Sequence, residues 1–240
     1  MNDLKRMALI VLVAALPLHP AAANEPPAKT DNAAILSKSR PAYKPPLRGA
    51  PAGRIGGGTR GATERESFSL QVLAPDHVGY TTQEQPCLYW YISKTTTYPI
   101  EVTVTERHAV KPLVEKLLKA PGLPGIQTVC LAAHDARLRP NVPYKWFVTL
   151  VTDAEHRSKD ILAGGIIERM TPPETLSARL KSAESGRAAF IYAEEGLWYD
   201  ALGEISRMID ASPKDADLRQ QRASLLEQVG LTEAAEAENR

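Results

Sequence analysis

The residues best suited to chemistry in this 240-residue chain are its five histidines and two cysteines. His77 follows Asp76, His134 precedes Asp135, His156 lies near Asp153 and Ser158, and His108 has Glu106 nearby. A carboxylate beside a histidine can fix its tautomer and make it a general base, given a third group and a pocket. No third partner stands in pattern at any of these positions, and G-x-S-x-G, H-E-x-x-H and S-x-x-K are absent. Such pairs read as turn residues and solvated caps. An enzyme reading requires two of His77, His134 and His156 to meet in one pocket. Neither Cys87 nor Cys130 has a His or Cys at ligand spacing, so no metal site and no cofactor is expected.

A second candidate is an anion site. Arg54, Gly56, Gly57, Gly58 and Arg60 fall in the run Tyr43 to Gly61, YKPPLRGAPAGRIGGGTRG. Three successive glycine amides flanked by arginines can form a nest for an anion. The Lys-Ser/Thr pair of a nucleotide-binding P-loop is missing. The same basic stretch can touch anionic headgroups, lie on an acidic surface of the chain, or serve as a solvated tether. The tether is the preferred reading, because residues 24–66 hold six prolines and six glycines without apolar periodicity.

Composition limits the rest. Lys+Arg total 29 against 28 Asp+Glu, a balance that argues against a nucleic-acid binder. Hydrophobic content of 43% is that of a globular protein. Charge is divided unevenly: residues 24–66 carry eight basic and four acidic groups, whereas 174–240 carry eight basic and thirteen acidic.

The first residues read as an export signal. Lys5 and Arg6 precede the apolar run Met7 to Leu18, and Ala21-Ala22-Ala23 supplies a small-residue cleavage site. Twelve apolar residues fall short of the roughly 20 needed to span a bilayer. The mature chain is expected to begin at Asn24, without a stable membrane span, in an oxidising compartment, periplasmic or secreted.

From 67 to 171 short strands alternate with turns. Phe68–Leu73, Cys87–Ile92, Ile100–Thr105, Ile126–Leu131, Tyr144–Val151 and Ile161–Ile167 carry strand patterning. Pro112 to Lys119 reads as a short helix between strands. Leu138 stands six residues before Tyr144, which is followed by Trp146 and Val148 in alternation. This resembles the tyrosine corner of immunoglobulin-like and fibronectin type III β-sandwiches. Parity places Trp90, Leu88 and Ile92 inside and sends Cys87, Tyr89 and Tyr91 outward. Cys130 also points outward on its strand. If the two strands are neighbours, a Cys87–Cys130 disulfide is geometrically open; two independent thiols are the alternative.

Residues 172–240 hold a repeat. Ala189, Tyr192, Gly196 and Ala201 recur 34 residues later as Ala223, Leu226, Gly230 and Ala235. The spacing resembles the tetratricopeptide repeat. Helices are expected at about 174–194, 198–210 and 214–229, followed by a truncated one. One and a half repeats are too few to stand alone, so the tail must dock on the sandwich, a partner or another copy.

Several separate blocks carry a wider resemblance: YKPPLRGAPAGRIGGGTRG, LAPDHVGYTTQEQPCLYWYIS, LRPNVPYKWFVTLV, HRSKD with GGIIER, and FIYAEEGLWYDALGEI. Over about residues 43–230 the chain resembles the bacterial domain-of-unknown-function family 928. The resemblance implies an exported bacterial protein with no assigned reaction, and it transfers no catalytic or binding residue. The function expected is a non-enzymatic adaptor or scaffold of the cell envelope, its partner another envelope protein. A module binding carbohydrate or envelope polymer is the alternative. Tyr89 and Tyr91 on the sheet, with Trp198 and Tyr199 on the tail, are the candidate contacts.

Overall fold

The computed structural model describes residues 39–46, 53–58 and 68–239. The export signal read at 1–23 lies outside them, as does Arg60. Two sheets and five helices make a mixed α/β architecture. The strands are β1 (Gly57–Gly58), β2 (Ser69–Val72), β3 (Gly79–Thr81), β4 (Cys87–Ile92), β5 (Ile100–Glu106), β6 (Val114–Leu118), β7 (Gly125–Cys130), β8 (Pro143–Leu150) and β9 (Ile161–Arg169). The helices are α1 (Glu174–Lys181), α2 (Ala188–Glu194), α3 (Trp198–Ala211), α4 (Ala216–Glu227) and α5 (Thr232–Glu238).

One sheet has the order β1-β2-β4-β7, the other β3-β9-β8-β5-β6. All neighbours are antiparallel except β3 and β9. Period-two alternation turns Leu70, Val72, Leu88, Trp90 and Ile92 of the first sheet to one face. It does the same for Val102, Val104, Trp146, Val148, Ala163 and Ile167 of the second. All of these belong to one buried cluster, which also takes in Trp198, Ile205 and Leu226 from the helices. Tyr144 is buried beside Leu138, and its hydroxyl accepts the Arg139 N–H at 3.3 Å. That bond ties the start of β8 to the turn before it.

Residues 112–119 correct the helix reading. Val114–Leu118 is a strand, paired with β5 from Ile100↔Leu118 to Val104↔Val114. Leu, Glu and Lys favour helix in isolation, but here Val114 and Leu118 meet the apolar residues of β5 with period two. β3, only three residues long, is too short to show a pattern in sequence. The helix expected at 174–194 is two, α1 and α2, separated by a turn in which Gly186 has φ 84°.

The helical part repeats in its backbone. Gly196 and Gly230 have φ 73° and 71°, in the turns joining α2 to α3 and α4 to α5. The Leu197 N–H donates to Tyr192 O at 2.9 Å, and the Leu231 N–H to Leu226 O at 3.0 Å. Both are the long closing bond of a helix C-terminus capped in the left-handed region. They recur at the offset read from the side chains.

Residues 39–46 and 53–58 are packed, which corrects the solvated-tether reading for these pieces. Tyr43 is buried edge-on against Trp198, with ring centroids 5.1 Å apart. Its N–H donates to Gln228 Oε1 at 2.8 Å, and the Lys44 N–H donates to Ala193 O at 3.0 Å. A Cβ on Gly196 would lie 2.8 Å from Lys44 O, so this turn needs glycine for contact as well as for φ. Further on, Ile55 exchanges both backbone bonds with Gly164 of β9, at 2.7 and 3.0 Å. Gly57 and Gly58 then pair with Leu70 and Ser69 of β2. Residues 53–58 thus pass from β9 of one sheet to β2 of the other.

Candidate functional site

The four aromatic contact candidates are buried. Tyr89 is 8% exposed, Tyr91 4%, Trp198 0% and Tyr199 2%. Tyr89 and Tyr91 do stand on the face of β4 opposite Trp90. The helices cover that face, and this corrects the expectation of exposure. Ser206 of α3 and Thr128 of β7 hydrogen-bond the Tyr89 phenol, while burial pushes its pKa up. Beside it, Gln71 Nε2 donates to Glu233 of α5 at 3.1 Å. An amphipathic α3 has buried against the sheet the surface that a partner was expected to use.

Trp198 and Tyr199 anchor the same junction. The Trp198 indole donates to Leu73 O at 2.8 Å. The Tyr199 hydroxyl accepts the Trp146 indole N–H at 2.8 Å and donates to Ile166 O at 3.1 Å. Complete burial holds this phenol far above its ordinary pKa. Asp200, next in sequence, accepts the Thr82 N–H at 2.6 Å and the Thr81 hydroxyl at 3.1 Å. Burial raises its pKa to about 6 despite those bonds. None of this was readable from the acidic tail, where Asp200 looks like one surface carboxylate among thirteen.

Of the anion-nest candidates, Arg54, Gly57 and Gly58 are engaged elsewhere. The Arg54 guanidinium donates to Ala74 O at 3.1 Å and to Val229 O at 2.9 Å. It therefore bridges the end of β2 to the turn before α5 instead of facing an anion. The backbones of Gly57 and Gly58 are taken up in β1, and Gly56 lies exposed between these anchors. Cys87 and Cys130 face each other across β4 and β7 and form a disulfide.

The histidines have separate settings. His77 Nδ1 lies 2.9 Å from Val78 O, so Nδ1 carries the proton. Its Nε2 lies 3.4 Å from the Tyr43 hydroxyl, and the two rings stack. His156 is exposed with Asp153 at 2.9 Å, and His134 ends the short 3-10 turn after β7. Among the described residues, clefts of about 590, 470, 320 and 170 Å³ contain no histidine in their linings. No group of three or more metal-ligating side chains occurs there either.

What remains open lies on β6. It is an edge strand, with no neighbour on its outer side among the described residues. Glu115, Lys116 and Leu117 are exposed along it. Seven large apolar residues are exposed among the described ones, and four of them fall between 110 and 123. Val110 is 98% exposed, Leu117 65% and Leu123 74%, with Leu113 beside them. Clustering, more than any single exposure, marks a contact surface. The signal was present in sequence as apolar residues set among charges, but a helical reading of 112–119 dispersed them.

A second feature sits on the outer face of the five-stranded sheet. Phe147, half-buried, lies in the cleft of about 320 Å³ with Glu101, Thr103, Thr149, Arg157, Asp160 and Leu162. The Arg157 guanidinium donates to Glu101 at 3.0 and 3.3 Å and also binds Asp160 at 2.5 Å. These bonds hold its pKa above the ordinary arginine value.

A family model described as Domain of Unknown Function (DUF928) matches residues 55–239. The chain belongs to the DUF928 family. The match begins at Ile55, so it takes in β1, both sheets and all five helices of this DUF928 chain. No curated protein matches it. Among solved structures it is similar to a multi-domain immunophilin from Arabidopsis thaliana, at 10% identity and a TM-score of 0.19. That alignment covers 73% of this chain and 93% of the other. Likeness at that level carries no argument about fold or function. Among the described residues no helix is long and apolar enough to cross a membrane.

Proposed function

We propose that this DUF928 protein is an exported, non-enzymatic interaction protein of the bacterial cell envelope. The observation that carries the reading is the exposed apolar cluster of Val110, Leu113, Leu117 and Leu123 on and beside an unpaired strand edge. A free edge offers backbone donors and acceptors to an added strand, and the flanking side chains select it. The Met7–Leu18 run and the Cys87–Cys130 disulfide support export to an oxidising compartment. The bond from Arg139 to Tyr144 supports an immunoglobulin or fibronectin type III-like sandwich. The paired turns at Gly196 and Gly230 support a tetratricopeptide-like tail. That tail docks on the sheet and acts as part of the body that presents the edge.

The test is a photo-crosslinking residue at Leu117 in the native host, with one at Lys214 on the far helical surface as control. The reading expects a dominant protein adduct from Leu117 alone. Equal yields from both positions, or adducts to polymer only, would refute it.

A second reading is binding of envelope polymer, favoured by Phe147 in its cleft. A half-exposed ring beside an ordered Glu101–Arg157–Asp160 set can stack on a sugar face and hydrogen-bond its hydroxyls. This platform replaces Tyr89 and Tyr91, whose rings are covered. Sedimentation with purified cell-wall polymer tests it: Phe147→Ala should abolish retention, and equal retention of both proteins ends this reading.

A further inference from the structure

The interaction reading leaves open what covers β6, and the geometry points to a second copy of this chain. In this arrangement two β6 strands lie antiparallel across a two-fold axis, with Leu117 on the axis. Glu115 of each copy faces Lys119 of the other. The inference rests on the interaction reading and names its partner.

The register follows from symmetry. A two-fold axis normal to a continuous sheet keeps each face on its own side. A residue can therefore oppose only residues of its own parity in the other copy. Glu115, Leu117 and Lys119 form one row of the strand and its extension, with Val114, Lys116 and Leu118 in the other. Five axis positions overlap the strand. An axis at Glu115 sets glutamate against glutamate, and one at Lys116 sets lysine against lysine; like charges directly opposed repel. An axis at Val114 draws in Pro112, which has no N–H to give. An axis at Leu118 sets Leu117 against Lys119. An axis at Leu118 also sets leucine on leucine, but only the axis at Leu117 flanks its leucine pair with two Glu115–Lys119 pairs.

The same register accounts for the ends of the cluster. Antiparallel pairing brings the β5–β6 turn of one copy to the β6–β7 loop of the other. Val110 lies in that turn and Leu123 in that loop, and they are the two most exposed large apolar residues among those described. Each would meet its counterpart's apolar side chain in place of water, twice over by symmetry. Lys116, on the core-facing row yet exposed, keeps its ammonium at the rim and discourages the neighbouring registers. The result is one ten-stranded sheet across two copies.

Sedimentation equilibrium of the purified full chain, from about 1 to about 100 μM, is the experiment, because a dimer of this kind reads out through concentration. The wild-type protein is expected to be a dimer. Glu115→Lys should raise the dissociation constant about tenfold or more, and adding Lys119→Glu to it should restore dimerisation. Leu117→Cys should form an intermolecular disulfide on mild oxidation, while Leu113→Cys should not. Far-ultraviolet circular dichroism confirms that each variant is folded. A wild-type monomer throughout the range overturns the inference, as does a charge swap that fails to rescue. If the protein is monomeric but Leu117 still traps another envelope protein in cells, only the second copy is refuted. If it traps nothing, the interaction reading fails as well.

Discussion

The Tyr199 hydroxyl sits 2.8 Å from the Trp146 indole nitrogen, joining the first turn of α3 to the middle of β8. The ring reaches there through a gap left by Gly79, where an added Cβ would lie 2.6 Å from Tyr199 Cε2. A helix read from sequence as part of a separate tail therefore contributes to the core of the two sheets.

Tyr199→Phe tests that junction. The substitution keeps the ring, strands the buried Trp146 N–H and takes a donor from the part-buried Ile166 carbonyl. Leaving a buried polar group unsatisfied costs about 1–3 kcal/mol. Urea denaturation should show a lower midpoint with an unchanged slope, since the surface exposed on unfolding is the same. An unchanged midpoint would mean that the hydroxyl contributes nothing to the docking of α3.

The disulfide closes a loop of 43 residues between neighbouring strands. In the chain-entropy account such a loop restricts the unfolded chain by about 4 kcal/mol. Cys87→Ser with Cys130→Ser should lower stability by that order in denaturant, and a reducing agent should do the same to the native protein. Equal stability of oxidised and reduced protein would place the origin of the strand pairing elsewhere.

These two cases show what local pattern carries and what it does not. Alternation in Cys87–Ile92 and Gly125–Cys130 fixes which residues share a face, and adjacency of β4 and β7 then brings the cysteines together. The Leu138–Tyr144 spacing and the repeat of Gly196 at Gly230 survive into the backbone because they are short-range. Parity puts Tyr89 and Tyr91 on the correct face of β4 but does not reveal that this face is covered, and the tail pattern does not reveal that Trp198 and Tyr199 reach the sheets. Their burial depends on α3 packing against β3 and β4 and on α5 packing against β7, contacts between residues more than a hundred positions apart that no periodicity encodes. The β6 edge fails for the opposite reason: its Leu and Lys content has a strong local preference, and pairing with β5 overrides it.

Asp200 makes stability depend on pH. Its pKa is about 6 in the folded protein, against about 3.9 in an unfolded chain. Between those values the folded state holds the extra proton, so stability falls as pH rises through the window and is flat above it. Two units correspond to about 3 kcal/mol. Asp200→Asn removes the titration while an amide oxygen still accepts the Thr82 N–H. The variant should lose the decline between pH 4 and 6 and equal or exceed the wild type near pH 7. A decline that persists in Asp200→Asn would assign it to another group.

Arg222 and Glu238 form a buried ion pair at 2.8 Å that fastens α5 to α4, with Ser206 of α3 accepting a further bond from Arg222 at 3.1 Å. Both side chains are more than nine-tenths buried. Removing one partner leaves the other charge without compensation, which costs about 3–5 kcal/mol. Glu238→Ala should therefore destabilise strongly, and so should Arg222→Ala. Replacing both by Met exchanges a desolvated pair for apolar packing of similar volume, which is often neutral or stabilising. The double variant should recover most of the loss in thermal unfolding. Since α5 also holds Gln71 through Glu233, the single variants should loosen the cover over Tyr89. That loosening would show as increased tyrosine accessibility to iodination at temperatures well below global unfolding. A double variant as unstable as either single one would mean that the pair sets the position of α5, and that packing alone does not.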